Sequence, residues 1–348
     1  MPGDPPLRRV TLMTVAEAAG VSVPTVSKVV NGRADVGPAT RARIEALLEQ
    51  HDYVGRRTDG AARSQGLPTV ELVFDGTLNA YGTEIIQGVL ETAAGMSVAV
   101  AMSFRTPAQH HAPQKSLTSW ARGLAAAGRR AVIAVVNDIT TGDLRALARA
   151  HLPLVVIDPL TLPSARVTSV GSTNFTGGFV ATGHLVGLGH RRIAYLGGPA
   201  SAACNQARLH GYRAAMEAHG VPVPDGYVRD GHFRYDDGVA IGAELLDLAV
   251  PPTAVFAGSD ETASGVLEAA RAKGLRIPED LSVVGFDDTQ VARLTSPPLT
   301  TVRQPLREMG GVALKTALRL VAGEELESHH VELATELVVR GSTAPPPI

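Results

Sequence analysis

The chain has 348 residues, enough for two or three domains; 45% are hydrophobic and only 4% aromatic, which makes its cores large and aliphatic. A single cysteine, Cys204, excludes an intrachain disulfide framework and a cysteine-rich zinc site, and no apolar run has the length of a membrane span or the place of a secretory signal, so a cytoplasmic protein is expected. The net charge of −2 hides an asymmetry: residues 1–65 hold nine Lys/Arg against seven Asp/Glu and the remainder 23 against 27, a mild pointer to a polyanionic partner for the first segment.

In chain order, the first readable elements lie in "TVAEAAGVSVPTVSKVVNG", residues 14–32. Thr14 followed by Glu17 is a capping box and predicts a helix from Val15, which Gly20 ends. Ser22 caps a second helix running to about Val30, with Pro24 tolerated in its first turn. On that helix Val26, Val29 and Val30 face Val15 and Ala19, while Val23, Pro24, Thr25, Ser27 and Lys28 occupy the other sides. A third helix follows from Pro38, with Ile44, Leu47 and Leu48 as its apolar face. Two short helices joined by a glycine-containing turn make a helix-turn-helix, whose second helix enters the DNA major groove amino end first. The plainer alternative is a small helical bundle with no nucleic acid.

After "GRRTDGAARSQG" (55–66) and Pro68, apolar strands alternate with helical stretches. The strands are "TVELVFD", "SVAVAMSF", "AVIAVVND", "PLVVID", "RIAYLGG", "TAVFAGSD" and "LSVVGFDD"; helices include 205–219 and 261–273. Continuous apolar runs mark strands buried on both faces of a parallel sheet, and about 270 residues exceed one open sheet, so two lobes are expected. Ligands of such folds bind at the carboxyl ends of the strands. Polar residues gather there: Asp75, Asn79, Asn137, Asp138 and Asp158, then Ser259, Asp260, Glu261, Asp287 and Asp288. Any one of them could simply cap a helix. Together they favour a polar cleft for a polyhydroxylated ligand, with Arg208 able to fork onto adjacent oxygens and Phe175 or Tyr81 able to stack on a sugar face.

Enzymes and transport proteins are the rivals. Neither a Gly-x-Ser-x-Gly elbow nor a His-Glu-x-x-His motif occurs, and Gly197-Gly198 lacks dinucleotide-binding spacing. The adjacent pairs His110-His111 and His329-His330 make poor metal clamps, and Cys204 reads as a buried or lining thiol. No enzyme activity, cofactor or metal is expected. A transporter's solute-binding protein fits the body alone but not the helix-turn-helix.

The segment "VTLMTVAEAAGVSVPTVSKVVNG" resembles the DNA-binding headpiece of LacI-type bacterial transcription repressors, and "TRARIEALLEQHDYV" continues the likeness. "GHLVGLGHRRIAYLGGP", "ARLHGYRAAM", "PTAVFAGSD", "LSVVGFDDTQVARLTSPPLTTVRQPL" and "ELVVRGSTAP" are similar to the regulatory domain of that family. The resemblance implies an α/β fold: an N-terminal three-helix headpiece, then a two-lobed, parallel-sheet regulatory domain like that of periplasmic sugar-binding proteins, crossed three times by the chain. The boundaries expected are a headpiece at 1–54, a hinge at 55–67, an effector-binding and dimerisation domain at 68–341 and a tail at 342–348. Its first lobe takes about 68–170 and 303–327, its second about 171–302 and 328–341.

By matching positions, Val23, Pro24 and Lys28 are base-contact candidates, and Ser22, Thr25, Ser27 and Asn31 phosphate-contact candidates. Arg208, Asp260 and Asp287 match effector ligands, with Asp158, Phe175 and Gln304 as further candidates beside Asp75, Asn79 and Tyr81. The family's hinge leucine, which wedges into the minor groove, falls at Ala62 here, and Gly60 weakens a helix. Arg56, Arg57 and Arg63 are therefore expected to contact phosphate or the narrow minor groove. The implied partners are double-stranded operator DNA, a small sugar-like effector and a second copy of the chain, with no membrane. The ending "RGSTAPPPI" has no leucine heptad, so a dimer rather than a tetramer is expected.

Overall fold

The computed structural model describes residues 12–30, 35–50, 67–76, 78–105, 114–135, 139–159 and 167–347. The chain divides into two compact units, Met1–Gly66 and Leu67–Ile348.

The first unit holds α1 (Leu12–Ala19), α2 (Val23–Val30) and α3 (Pro38–Gln50). Val15, Ala16, Ala19, Val26, Val29 and Ile44 form its core, with Val30, Leu47 and Leu48 packed at the edge. Helix α1 begins at Leu12, two residues before Thr14, so Thr14 lies inside the helix and does not cap it. Leu12 packs against the core, and that contact carries the helix past the local capping signal. Gly20 leaves α1 with φ +66°, the left-handed exit expected of a glycine. Ser22 opens α2, and the Thr25 N–H donates to its carbonyl oxygen at 2.9 Å and to its Oγ at 3.4 Å.

The second unit has two lobes. The first holds β1 (Thr69–Asp75), α4 (Ala80–Met96), β2 (Ala99–Arg105), α5 (Gln114–Ala126), β3 (Arg129–Val135), α6 (Thr141–Arg149), β4 (Leu154–Ile157) and β5 (Thr168–Ser172). The second holds α7 (Asn174–Gly187), β6 (Ile193–Leu196), α8 (Ala203–Ala218), β7 (Val228–Arg229), α9 (Tyr235–Leu246) and β8 (Ala254–Ala257). It continues with α10 (Asp260–Ala272), β9 (Ser282–Asp287), α11 (Gln290–Leu294) and β10 (Thr300–Arg303). The chain then returns to the first lobe for α12 (Leu306–Val321) and β11 (His330–Leu333), and crosses again to β12 (Glu336–Val338).

The strand orders are β11-β5-β4-β3-β1-β2 and β12-β10-β9-β8-β6-β7. Pairing is parallel except between β10 and β12. Because β11 pairs with β5, the last crossing comes after Leu333; the boundary expected at 328 is displaced by this strand. Both sheets run their β-strands through apolar layers, Val70, Leu72 and Ile133 in one lobe and Leu196, Val255 and Val283 in the other.

Close helix crossings set the lobes' geometry. A Cβ on Gly88 of α4 would stand 1.9 Å from the Arg307 carbonyl oxygen of α12. One on Gly178 of α7 would stand 2.3 Å from the Arg208 carbonyl oxygen of α8, and one on Gly211 of α8 would stand 2.2 Å from that of Phe175. The second crossing fixes the backbone that carries Arg208.

Candidate functional site

The carboxyl ends of the strands of both lobes border a cavity of about 500 Å3 that includes its open mouth. Five of the expected effector residues line it: Asn79, Tyr81, Asp158, Arg208 and Asp287.

Arg208 is 4% exposed and built in from three sides. Its Nε donates to Asn174 Oδ1 at 2.7 Å, and its Nη1 donates to the Gly258 carbonyl at 2.5 Å. The Phe286 ring lies under the guanidinium at 3.8 Å and the Phe233 ring at 5.4 Å. Asp287 Oδ1 stands 4.0 Å from Nη1, a loose pair. With Nε and Nη1 already bonded, the guanidinium is oriented before any ligand arrives.

Across the cavity, the Tyr81 hydroxyl donates to Asp158 Oδ2 at 2.6 Å. Burial raises the Asp158 carboxyl above its ordinary range, and burial together with the Asp158 charge raises the Tyr81 phenol well above its own. Burial also pushes Asp287 well up, against the pull of Arg208. Asn79 caps α4, its Oδ1 accepting from the Gly82 N–H at 2.9 Å, and so serves the helix while facing the cavity. The two lobes meet directly where the Ala80 N–H, at the start of α4, donates to Glu261 Oε1 of α10 at 3.0 Å.

Four expected contacts lie elsewhere. Asp260 is fully buried beneath the cavity, where Thr289 N–H (2.7 Å) and Oγ1 (3.0 Å) donate to its Oδ2 and Thr301 Oγ1 (2.5 Å) to its Oδ1. It ties α10 to β10 and to the chain after β9. Gln304 accepts from Ser172 Oγ at 2.5 Å and donates from Nε2 to Asp287 Oδ1 at 2.7 Å, so it braces Asp287 at two interlobe crossings. Asp75 ends β1 beside Arg105, off the cavity. Phe175 borders a neighbouring groove.

Phe233 is a lining residue that no sequence pattern marks. It sits in a loop at φ +60°, and its ring fills the space over Gly198, where a Cβ would lie 2.1 Å from it. Gly197-Gly198 is thus a seat for that ring and for Asn205, whose Oδ1 accepts from the Gly198 N–H at 2.8 Å, rather than a phosphate cradle. Cys204 lines the cavity, and burial pushes its thiol up to about 11. Among the described residues no group of three His, Cys, Asp or Glu side chains is placed to hold a metal ion. His329 and His330 bond separately to Thr168 and Ser169, and His110-His111 lie outside the described residues.

On the headpiece, Ser22, Val23, Pro24 and Lys28 are exposed, while Thr25 and Ser27 are half-buried. Lys28 Nζ pairs with Asp35 Oδ2 at 2.8 Å, so a base contact requires it to leave that exposed pair. Asn31, Arg56, Arg57 and Arg63 lie outside the described residues. No helix among the described residues is long and apolar enough to cross a membrane.

Comparison with known proteins adds to this geometry. Residues 11–55 match the model of bacterial regulatory proteins of the lacI family, and residues 182–343 match a periplasmic binding protein-like domain. The HTH-type transcriptional regulator CelR of Thermobifida fusca is 36% identical over 340 residues, which cover 96% of this chain and 98% of that protein. A solved transcriptional regulator CelR–cellobiose complex aligns at 34% identity with a TM-score of 0.71, covering 96% of this chain and all of that one. The lac repressor dimer bound to operator and the anti-inducer ONPF aligns at 26% identity with a TM-score of 0.76, covering 97% and 100%.

Proposed function

The chain belongs to the lacI family of bacterial regulatory proteins, and on that premise we propose that it represses carbohydrate-related genes, its operator affinity being set by a sugar-like effector held between the two lobes. The observation that carries the effector is Arg208: a buried guanidinium, pre-bonded to Asn174 and Gly258, with Asp287 opposite and Asp158 and Tyr81 across the cavity. Arg208 brings donors and Asp287 and Asp158 bring acceptors to one cavity, which suits hydroxyls that both give and take hydrogen bonds. The solved relative in complex with cellobiose supports the same class of ligand.

In this reading Arg208, Asp287, Asp158, Asn79 and Tyr81 touch the effector. Asp260 and Gln304 position Asp287 and the crossings. Val23, Pro24 and Lys28 meet base edges, with Ser22, Thr25, Ser27 and Asn31 on phosphates and Arg56, Arg57 and Arg63 at the hinge. The chain works in the cytoplasm, on the nucleoid when bound, as a homodimer on a two-fold operator. Effector binding changes the angle between lobes and hence the preferred headpiece spacing. A protonated thiol at Cys204 and carboxylates engaged in hydrogen bonds favour a binding protein over an enzyme.

A thermal-shift panel of neutral sugars, run beside operator binding by fluorescence anisotropy, tests this. A ligand at about 100 times its Kd stabilises by about 2.7 kcal/mol, a readily measured rise in Tm. At least one sugar should raise Tm and change operator affinity, and Arg208→Lys, which loses the planar fork, should abolish both. A panel without any shift, or a shift that leaves operator binding untouched, sinks the reading.

A further inference from the structure

A second groove, open to solvent, runs beside the cleft where β5 and β11 pair and α7 begins. It shares Asp158 and Cys204 with the effector cavity, so the two spaces meet at one wall. The groove's other side chains include Phe175, Thr176, His330 and Glu332.

Phe175 is a large apolar side chain left 49% exposed at the start of α7, with Phe179 stacked behind it at 6.4 Å and an interplanar angle of 21°. The paired rings give a flat apolar wall with an outward face. Glu332 is exposed and has no ion-pair partner among the described residues. Its charge reaches Asp158, helping to raise that carboxyl. His330 is held by Ser169, Nδ1 to Oγ at 2.9 Å. Among the described residues neither Lys nor Arg lines the groove, while two carboxylates do. That electrostatic balance rejects phosphorylated or acidic sugars and leaves hydroxyl groups as the natural partners of Asp158 and Glu332.

We propose that this groove is an outer subsite of the effector cleft, in which Phe175 stacks against the second ring of a neutral oligosaccharide and Glu332 accepts hydrogen bonds from its hydroxyls. The subsite rests on the reading that the cleft binds a sugar. The inner cavity takes one ring on Arg208 and Asp287, and a longer chain leaves it past Asp158 and Cys204. An aromatic platform recognises the apolar C–H face of a pyranose, and a carboxylate beside it fixes the ring's rotation. The effector is thus a di- or trisaccharide, and its length is read at the junction of the lobes.

Isothermal titration of the full-length protein with glucose, galactose and xylose, and with cellobiose, cellotriose, maltose, lactose and xylobiose, tests the subsite. At least one oligosaccharide should bind about tenfold tighter than its monosaccharide. Phe175→Ala should remove about tenfold of that affinity, leaving the monosaccharide Kd unchanged, and Glu332→Gln should weaken the same oligosaccharide alone. Phe175 is half-exposed, so its replacement leaves the core intact, and an unchanged Tm of the free protein checks this. Equal loss for mono- and oligosaccharides, or no loss for either, overturns the subsite while the sugar reading stands. Failure of every one of these sugars to bind overturns both.

Discussion

Asp260 is a carboxylate sealed from water, and burial raises its pKa to about 7 despite three donated hydrogen bonds. The unfolded chain releases that proton near about pH 4. Between these values the folded state binds the proton more tightly, so Asp260's contribution to stability is full below about pH 4 and lost as pH rises through 7. The amide of an Asp260→Asn variant could still accept from Thr289 and donate to Thr301, without a charge to bury. The Tm advantage of D260N over wild type should therefore grow from about pH 5 to about pH 8 and level off above. Parallel melting curves across that range would exclude a titrating Asp260. Strand-end position in the sequence places this residue beside the cleft but does not say which way its side chain turns. The same limit applies to Gln304, expected to touch ligand and found bracing Asp287. Phe233 is illegible for another reason: nothing local in its loop marks a ring that folds back over Gly198, a residue far from it along the chain.

Seven strands were legible as apolar runs, and all seven exist, from β1 at 69–75 to β9 at 282–287. The strands β5 (TSVGS) and β10 (TTVR) were not, because their buried positions carry hydroxyls. Those hydroxyls are satisfied by distant partners, Ser172 by Gln304 and Thr301 by Asp260, which no local pattern reveals. Helix contacts add a second layer that the sequence shows only as scattered glycines. Gly178 and Gly183 both lie in α7, yet a Cβ at 178 meets the Arg208 carbonyl at 2.3 Å and one at 183 meets nothing within 4 Å. Gly178→Ala should destabilise by about 1–3 kcal/mol through overpacking and weaken effector binding by shifting α8. Gly183→Ala should be neutral or stabilise by up to about 1 kcal/mol, since alanine is the better helix former. Denaturant melts of the pair decide the point; equal effects at both sites would mean the crossing does not hold α8 in place.

At the scale of the whole molecule, an effector signal has to leave a body whose lobes are joined by three crossings and by the Ala80–Glu261 hydrogen bond, and it has to reach DNA through residues 55–67. That segment carries Arg56, Arg57 and Arg63, and at Ala62 it has only a methyl where the family's wedge is a leucine. A methyl group cannot part stacked bases, so on this reading little of the binding energy comes from kinking the operator. We propose that the arginines act instead through the release of counterions from phosphates. Each phosphate they neutralise steepens the salt dependence of log K by about 0.9, and three of them per subunit make a large share of a dimer's slope. Replacing all three with glutamine should lower operator affinity most at low salt and flatten the slope by roughly 1 to 5, while leaving base preference, which belongs to the recognition helix, as it was. Anisotropy titrations over a salt series, with operator and scrambled duplexes, separate these effects. An unchanged slope would make residues 55–67 a tether, and the coupling between cleft and operator would then have to pass through headpiece spacing alone.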